Sequence, residues 1–158
     1  MEIIIDQERL KAPSIELART ILHECFHAYI YGKIHQEEIH NGLGPEPNFS
    51  KDWKQYKLQY GDTAQHFYMA NKYMKHMKEG LEDYFFLNEN SSEREIFMNH
   101  VSGNDYWKGV DSFIEQLCWG GLKETDAWEN YIQKDNNYFL YNFTMSDFVT
   151  KWPKENCN

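Results

Sequence analysis

His23-Glu24-Cys25-Phe26-His27 decides how this chain is read. In a helix, residues four apart share a face, so both imidazoles stand one turn apart and can reach a single metal ion. Glu24, beside the first histidine, supplies a carboxylate able to take a proton from water activated at that metal. The spacing needs a helix, and the flanks provide one. Ser14 follows Pro13 as a capping residue, and Glu16 lies in the first turn, where the macrodipole favours an anion. Apolar residues recur at Ile15, Ala18, Leu22 and Phe26, with Ile21, Cys25 and Ala28 widening the stripe. Gly32 falls where a left-handed cap is expected, which predicts a helix from Ile15 to Tyr31. A helix apolar around much of its girth is usually buried. Two histidines and a glutamate inside it are costly unless satisfied, and a metal would satisfy them. The plainer alternative is a pair of half-buried histidines bonded to backbone, with Glu24 in a salt bridge.

A catalytic zinc site takes three protein ligands plus water, so a third ligand is needed. The remaining histidines are His35, His40, His66, His76 and His100, beside many carboxylates. His66 has the strongest sequence argument. Asp62 and Gln65 have capping-box spacing, so a helix is predicted from Thr63 to near Gly80. Its apolar stripe runs through Met69, Ala70, Tyr73, Met74 and Met77. Three and four positions back from Met69 and Ala70 lies His66, on the core side, whereas His76 falls off the stripe toward solvent. His35 and His40 lie in a loop-like stretch after the motif helix. Cys25, two residues from each motif histidine, points away from their face and reads as core. Asp62 is the nearest carboxylate in sequence to orient a ligand histidine, although capping explains it equally well. Tyr68 and Tyr73 lie on the third-ligand helix as possible oxyanion donors, and neither is assigned.

The stretch from Leu17 to Tyr29 resembles the active-site helix of small zincin metallopeptidases, notably SprT-like domains. Those often read H-E-x-x-H-A-Y, as this chain does from His23 to Tyr29. Asn41-Gly42-Leu43-Gly44-Pro45-Glu46 is weakly similar to the Gly-His-Gly-Pro segment that supplies their third ligand, with Leu43 in the histidine's place. Asp62 to Ala70 is similar to small bacterial toxin-type or phage-associated metallopeptidase domains, in which a later helix gives the third histidine. The long metzincin pattern H-E-x-x-H-x-x-G-x-x-H fits less well, because Gly32 and His35 arrive two residues late. Glu82 is a carboxylate of the kind that serves as third ligand in other zincins. The resemblance implies Zn²⁺, a protein or peptide substrate and a mostly helical α+β domain with a small sheet bordering the cleft. Glu2 to Asp6, apolar and β-branched, reads as the strand for that sheet.

At 158 residues the chain is expected to form one domain, residues 1–158. Aromatics at 16% point to an aromatic-rich core rather than a disordered tail. A net charge of −9 without a basic cluster makes nucleic acid a poor partner. No signal-peptide zones and no membrane-length apolar run are visible. Three cysteines without paired spacing fit reduced thiols in a cytoplasm, though signal-independent export leaves no trace in sequence. The stretch from Lys33 to Gly61 reads as loop-rich, punctuated by Gly42, Gly44, Pro45 and Pro47. Further helices are predicted from Glu93 to Val101, from Tyr106 to Trp119 closed by Gly120-Gly121, and after Thr125. Tyr138 to Trp152 fits strand or helix. The resulting expectation is a zinc metallopeptidase with His23, His27 and His66 as ligands and Glu24 as general base. A toxin or effector protease with a specific target, and a non-catalytic metal-binding module, are the alternatives.

Overall fold

Helix α1 (Ser14–Ile39) carries the motif and is longer than its sequence predicts. A computed structural model describes residues 14–39, 47–87, 95, 98, 109–134 and 140–142. Gly32 does not end α1; it is an exposed helical position with nothing within 4 Å of where a Cβ would stand. One interior glycine costs a helix only about 1 kcal/mol, and the Lys33-Ile34-His35-Gln36-Glu37-Glu38 run that follows is helix-compatible. The expected loop from Lys33 to Gly61 is therefore mostly helix, with α2 (Pro47–Tyr60) occupying its second half. Pro47 sits at the first helical position, where a missing N–H does no harm.

A 3₁₀ turn at Gly61–Thr63 leads into α3 (Ala64–Lys72), with Gly61 at φ 57°. The capping box is not formed: Thr63 is the N-cap residue, with helical backbone and no side-chain cap bond. Asp62 is exposed and pairs instead with Lys57 at 3.2 Å. The helix expected to run on to Gly80 breaks at Tyr73 and resumes as α4 (Met74–Leu87). Gly80 lies inside α4, where a Cβ would stand 3.3 Å from Leu22 Cδ1. The missing side chain is what brings α4 close to α1 at that crossing. Helix α5 (Val110–Cys118) starts at Gly109, with φ 98°, and ends in the Gly120-Gly121 turn that the sequence predicts. Thr125 caps α6 (Asp126–Ile132), its hydroxyl accepting from the Trp128 N–H at 3.2 Å.

Among the described residues every regular element is a helix and none is a strand. This overturns the expected α+β fold with a small sheet. The physical reason is the apolar period, which stays near 3.6 through each described segment. Glu2 to Asp6, the expected strand, lies outside the described residues, as does nearly all of the predicted helix from Glu93 to Val101. Of Tyr138 to Trp152 only 140–142 are described, and they are helical. No helix among the described residues is long and apolar enough to cross a membrane.

Helix α1 packs on α2, α3, α4 and α5, while α3 packs on α2, α4 and α6. The core joins Ile30 of α1, Met69 of α3, Met77 and Leu81 of α4, and Phe113, Ile114 and Leu117 of α5, all fully buried. Truncating a residue such as Phe113 to Ala removes about 3–5 kcal/mol of stability. A second, aromatic cluster fastens α2 to α3: Tyr68 sits edge-on to Phe49, Trp53 and Tyr56 at 5.5, 6.1 and 5.2 Å. Tyr73, at the α3–α4 break, stacks on Phe26 of α1 at 5.2 Å and fixes how α3 meets the motif helix.

Helix α1 buries polar side chains beside its core residues Ile15 and Ile30. Glu16, Arg19, Thr20 and His23 are buried, while Ile21, Cys25 and Tyr29 are exposed. Cys25 is therefore a surface residue and not part of the core. Glu16, Arg19 and Thr20 satisfy one another. Arg19 donates Nε–H to Glu16 Oε2 at 3.1 Å and Nη2–H to Glu16 Oε1, and the Thr20 hydroxyl donates to the Glu16 carbonyl at 3.0 Å.

Candidate metal centre

His23 and His27 project from adjacent turns of α1, and His66 faces them from the first turn of α3. The Nε2 atom of His27 lies 3.1 Å from His23 Nε2 and 3.0 Å from His66 Nε2. The ring centroids are separated by 4.8 to 5.4 Å. Three imidazole nitrogens thus converge on one point, close enough to bind a metal ion.

The outer nitrogens explain the orientation. His27 Nδ1 lies 2.7 Å from Gln65 Oε1, and His66 Nδ1 bonds Glu124 Oε1. A carboxylate or amide oxygen only accepts, so the Nδ1 atoms of His27 and His66 carry their hydrogens and the Nε2 atoms of these two residues present lone pairs inward. Uncharged lone pairs turned toward one another repel, and a cation between them removes the conflict. A tetrahedral ion about 2.0–2.1 Å from each nitrogen spaces the nitrogens roughly 3.3–3.4 Å apart. The His27–His23 and His27–His66 separations need to open by only a few tenths of an ångström, and all three donors lie within 4.8 Å of one another, so the donor set fits.

A third element walls the site. Gly121, at φ 84°, lies against the His23 ring, and a Cβ there would stand 3.1 Å from His23 Cε1. Its neighbour Gly120 accepts a hydrogen bond from Arg19 Nη1 at 3.0 Å. Three residues after Gly121 comes Glu124, the partner of His66. The turn is anchored from below by Leu122 and Thr125, both fully buried, with the Thr125 hydroxyl donating to the Leu122 carbonyl at 2.7 Å. At its far end Tyr60 of α2 donates to Asp126 Oδ2 at 2.7 Å, which pushes the phenol up to about 12.

Burial grades across the cluster. His23 is 7% exposed, whereas the His66 side chain keeps 30% of its surface. Solvent therefore reaches the centre from the His66 and Glu124 side. Glu24 is half-buried, and no hydrogen bond or ion pair engages it among the described residues.

The other predicted ligands are elsewhere. His35 is exposed on α1, about 12 Å beyond His27 by helix rise. Glu82 sits on α4 against Lys78 and Asp111, where burial raises its carboxyl above the ordinary range. His76 is exposed and meets Glu79 at 3.2 Å, as its place off the stripe predicts. His40 and His100 lie outside the described residues. Tyr68 and Tyr73 belong to the aromatic packing described above, not to the histidine cluster.

Sequence reasoning missed Gln65, Glu124 and Gly121. Gln65 stands next to His66, but its spacing from Asp62 points to a cap. Glu124 and Gly121 are nearly a hundred residues from the motif, and only the folded chain joins them to it. No protein-family model, no curated protein and no solved structure matches this chain. The resemblance to zincins therefore rests on the motif residues themselves.

Proposed function

We propose that this chain is a zinc-dependent hydrolase that cleaves peptide bonds in a protein or peptide substrate. The observation that carries the reading is the convergence of three imidazoles, two of which, His27 and His66, have Nδ1 partners that fix the metal-binding tautomer. His23, His27 and His66 would hold the ion. Three neutral imidazoles suit Zn²⁺ and leave a fourth position for water or substrate. The ion would supply Lewis acidity, polarising a carbonyl and lowering the pKa of water to about 7.

Glu24 does the proton work. It adjoins His23 on the same helix, and its carboxylate, free of other partners among the described residues, accepts a proton as water attacks the scissile carbonyl carbon. It then delivers that proton to the amine nitrogen as the C–N bond breaks. His66 and Glu124 border the open side, where an extended segment of substrate could enter. His35, a candidate fourth ligand, is exposed on α1 about 12 Å beyond His27, which favours this reading over a site that His35 closes. The charge of −9 favours a protein over a nucleic acid as the target.

The test is metal content of the purified protein by plasma mass spectrometry, for wild type, His27→Ala and His66→Ala. Near-stoichiometric zinc in wild type, lost in both variants, is the expected result. Peptidase activity should then appear in wild type and vanish in Glu24→Gln with zinc retained. A wild type that takes up no zinc after reconstitution would end the enzyme reading.

A further inference from the structure

The buried Glu16–Arg19 pair has no place in the chemistry above, yet it lies one turn before His23 and reaches across to the turn that follows α5. Arg19 is gripped by both oxygens of Glu16 and spends its remaining Nη1 donor on the Gly120 carbonyl. A Cβ on Gly120 would stand 3.0 Å from Arg19 Cζ, so the guanidinium and the turn are in full contact. The next residue, Gly121, presses on the His23 ring, and Glu124 of the same turn holds His66. We propose that Arg19 is a positioning residue: clamped by Glu16, it fastens the Gly120–Thr125 turn so that this turn seats two of the three histidines at once. The inference rests on the reading of the cluster as a metal site.

The geometry calls for arginine specifically. One planar group must satisfy a carboxylate in parallel bonds and a backbone carbonyl in another direction. A lysine keeps the charge but cannot span both partners with fixed donors. The turn itself provides no ligand, so loosening it should leave a protein that still binds metal, only less well and with altered ligand geometry.

The test uses the full chain loaded with Co²⁺, whose visible ligand-field spectrum reports coordination geometry, together with Zn²⁺ competition for affinity. The variants are Arg19→Lys, Glu124→Ala and Glu124→Gln, with thermal unfolding of the metal-free proteins as a separate readout. The expected result is a fall in affinity of about 10- to 100-fold for Arg19→Lys and Glu124→Ala, with a changed Co²⁺ spectrum. Glu124→Gln, which restores an acceptor for His66 Nδ1, should recover most of the loss. Glu124 is exposed, so its variants keep the test decisive even if Arg19→Lys does not fold. Wild-type affinity and spectrum in Glu124→Ala, or in a folded Arg19→Lys whose only change is a lower Tm, would overturn the proposal. A wild type that binds neither ion overturns the metal reading and the proposal with it; unchanged variants of a metal-binding wild type overturn the proposal alone.

Discussion

The histidine cluster rests on two supports of different kinds. The first is the helix pair α1 and α3, which delivers all three imidazoles by periodicity and is held by the Phe26–Tyr73 stack. The second is the turn from Gly120 to Thr125, which delivers no ligand and instead holds His23 and His66 from outside. A helix places side chains through local spacing, and many substitutions preserve that. A turn works through backbone contacts, and here it depends on glycines at which a Cβ would crowd the Arg19 and His23 side chains. The second support should therefore be the more fragile to small changes.

The largest expected effect comes from removing the link between the two supports. Arg19→Ala leaves the Glu16 carboxylate buried without its partner, which should cost about 3–5 kcal/mol in chemical denaturation. An effect below about 1 kcal/mol would mean that the turn is held by other contacts. Next is Gly121→Ala, which forces a Cβ into a left-handed backbone at a cost of roughly 1–2 kcal/mol and into the His23 ring. It should reduce both Tm and metal affinity, whereas a loss of Tm alone would separate the turn from the site.

On the helix side, Gln65→Ala removes the acceptor for His27 Nδ1 without touching the core. Metal affinity should fall about 10- to 100-fold in a competition titration, with Tm of the metal-free protein little changed. Remote from both supports, the Lys78–Asp111 pair joins α4 to α5 at 2.7 Å and serves as a control. Hydrogen bonding to Lys78 lowers the Asp111 carboxyl below the ordinary range. A lowered carboxyl stabilises the fold above its unfolded-state pKa, and that contribution is lost as pH falls through the folded value. Asp111 is largely exposed, so Asp111→Asn should change stability by no more than about 1 kcal/mol and leave metal affinity alone. Smallest of all is Gly32→Ala on the open stretch of α1, expected to stabilise by about 0.5–1 kcal/mol.

The same contrast explains what could be read in advance. His23, His27 and His66 were legible because each follows from the 3.6-residue period of its own helix. The Gly120-Gly121 pair was legible as a helix stop but not as a wall, since nothing in its sequence names Arg19 or His23 as neighbours. Gln65 was visible only as one half of a capping box that the chain does not form. Gly32 signals a stop because glycine is favoured at helix C-caps, and the helix-compatible residues after it outweigh that tendency. The small sheet rested on the β-branched run Glu2 to Asp6, which lies outside the described residues, and on the zincin resemblance for its place beside the cleft; every described segment is helical instead.

The most direct test of the central claim is the zinc K-edge X-ray absorption spectrum of the zinc-loaded protein. The account predicts three imidazole nitrogens and one exchangeable oxygen ligand at about 2.0–2.1 Å, with one imidazole lost in His66→Ala. A shell with sulfur, with two imidazoles, or unchanged by His66→Ala would contradict it.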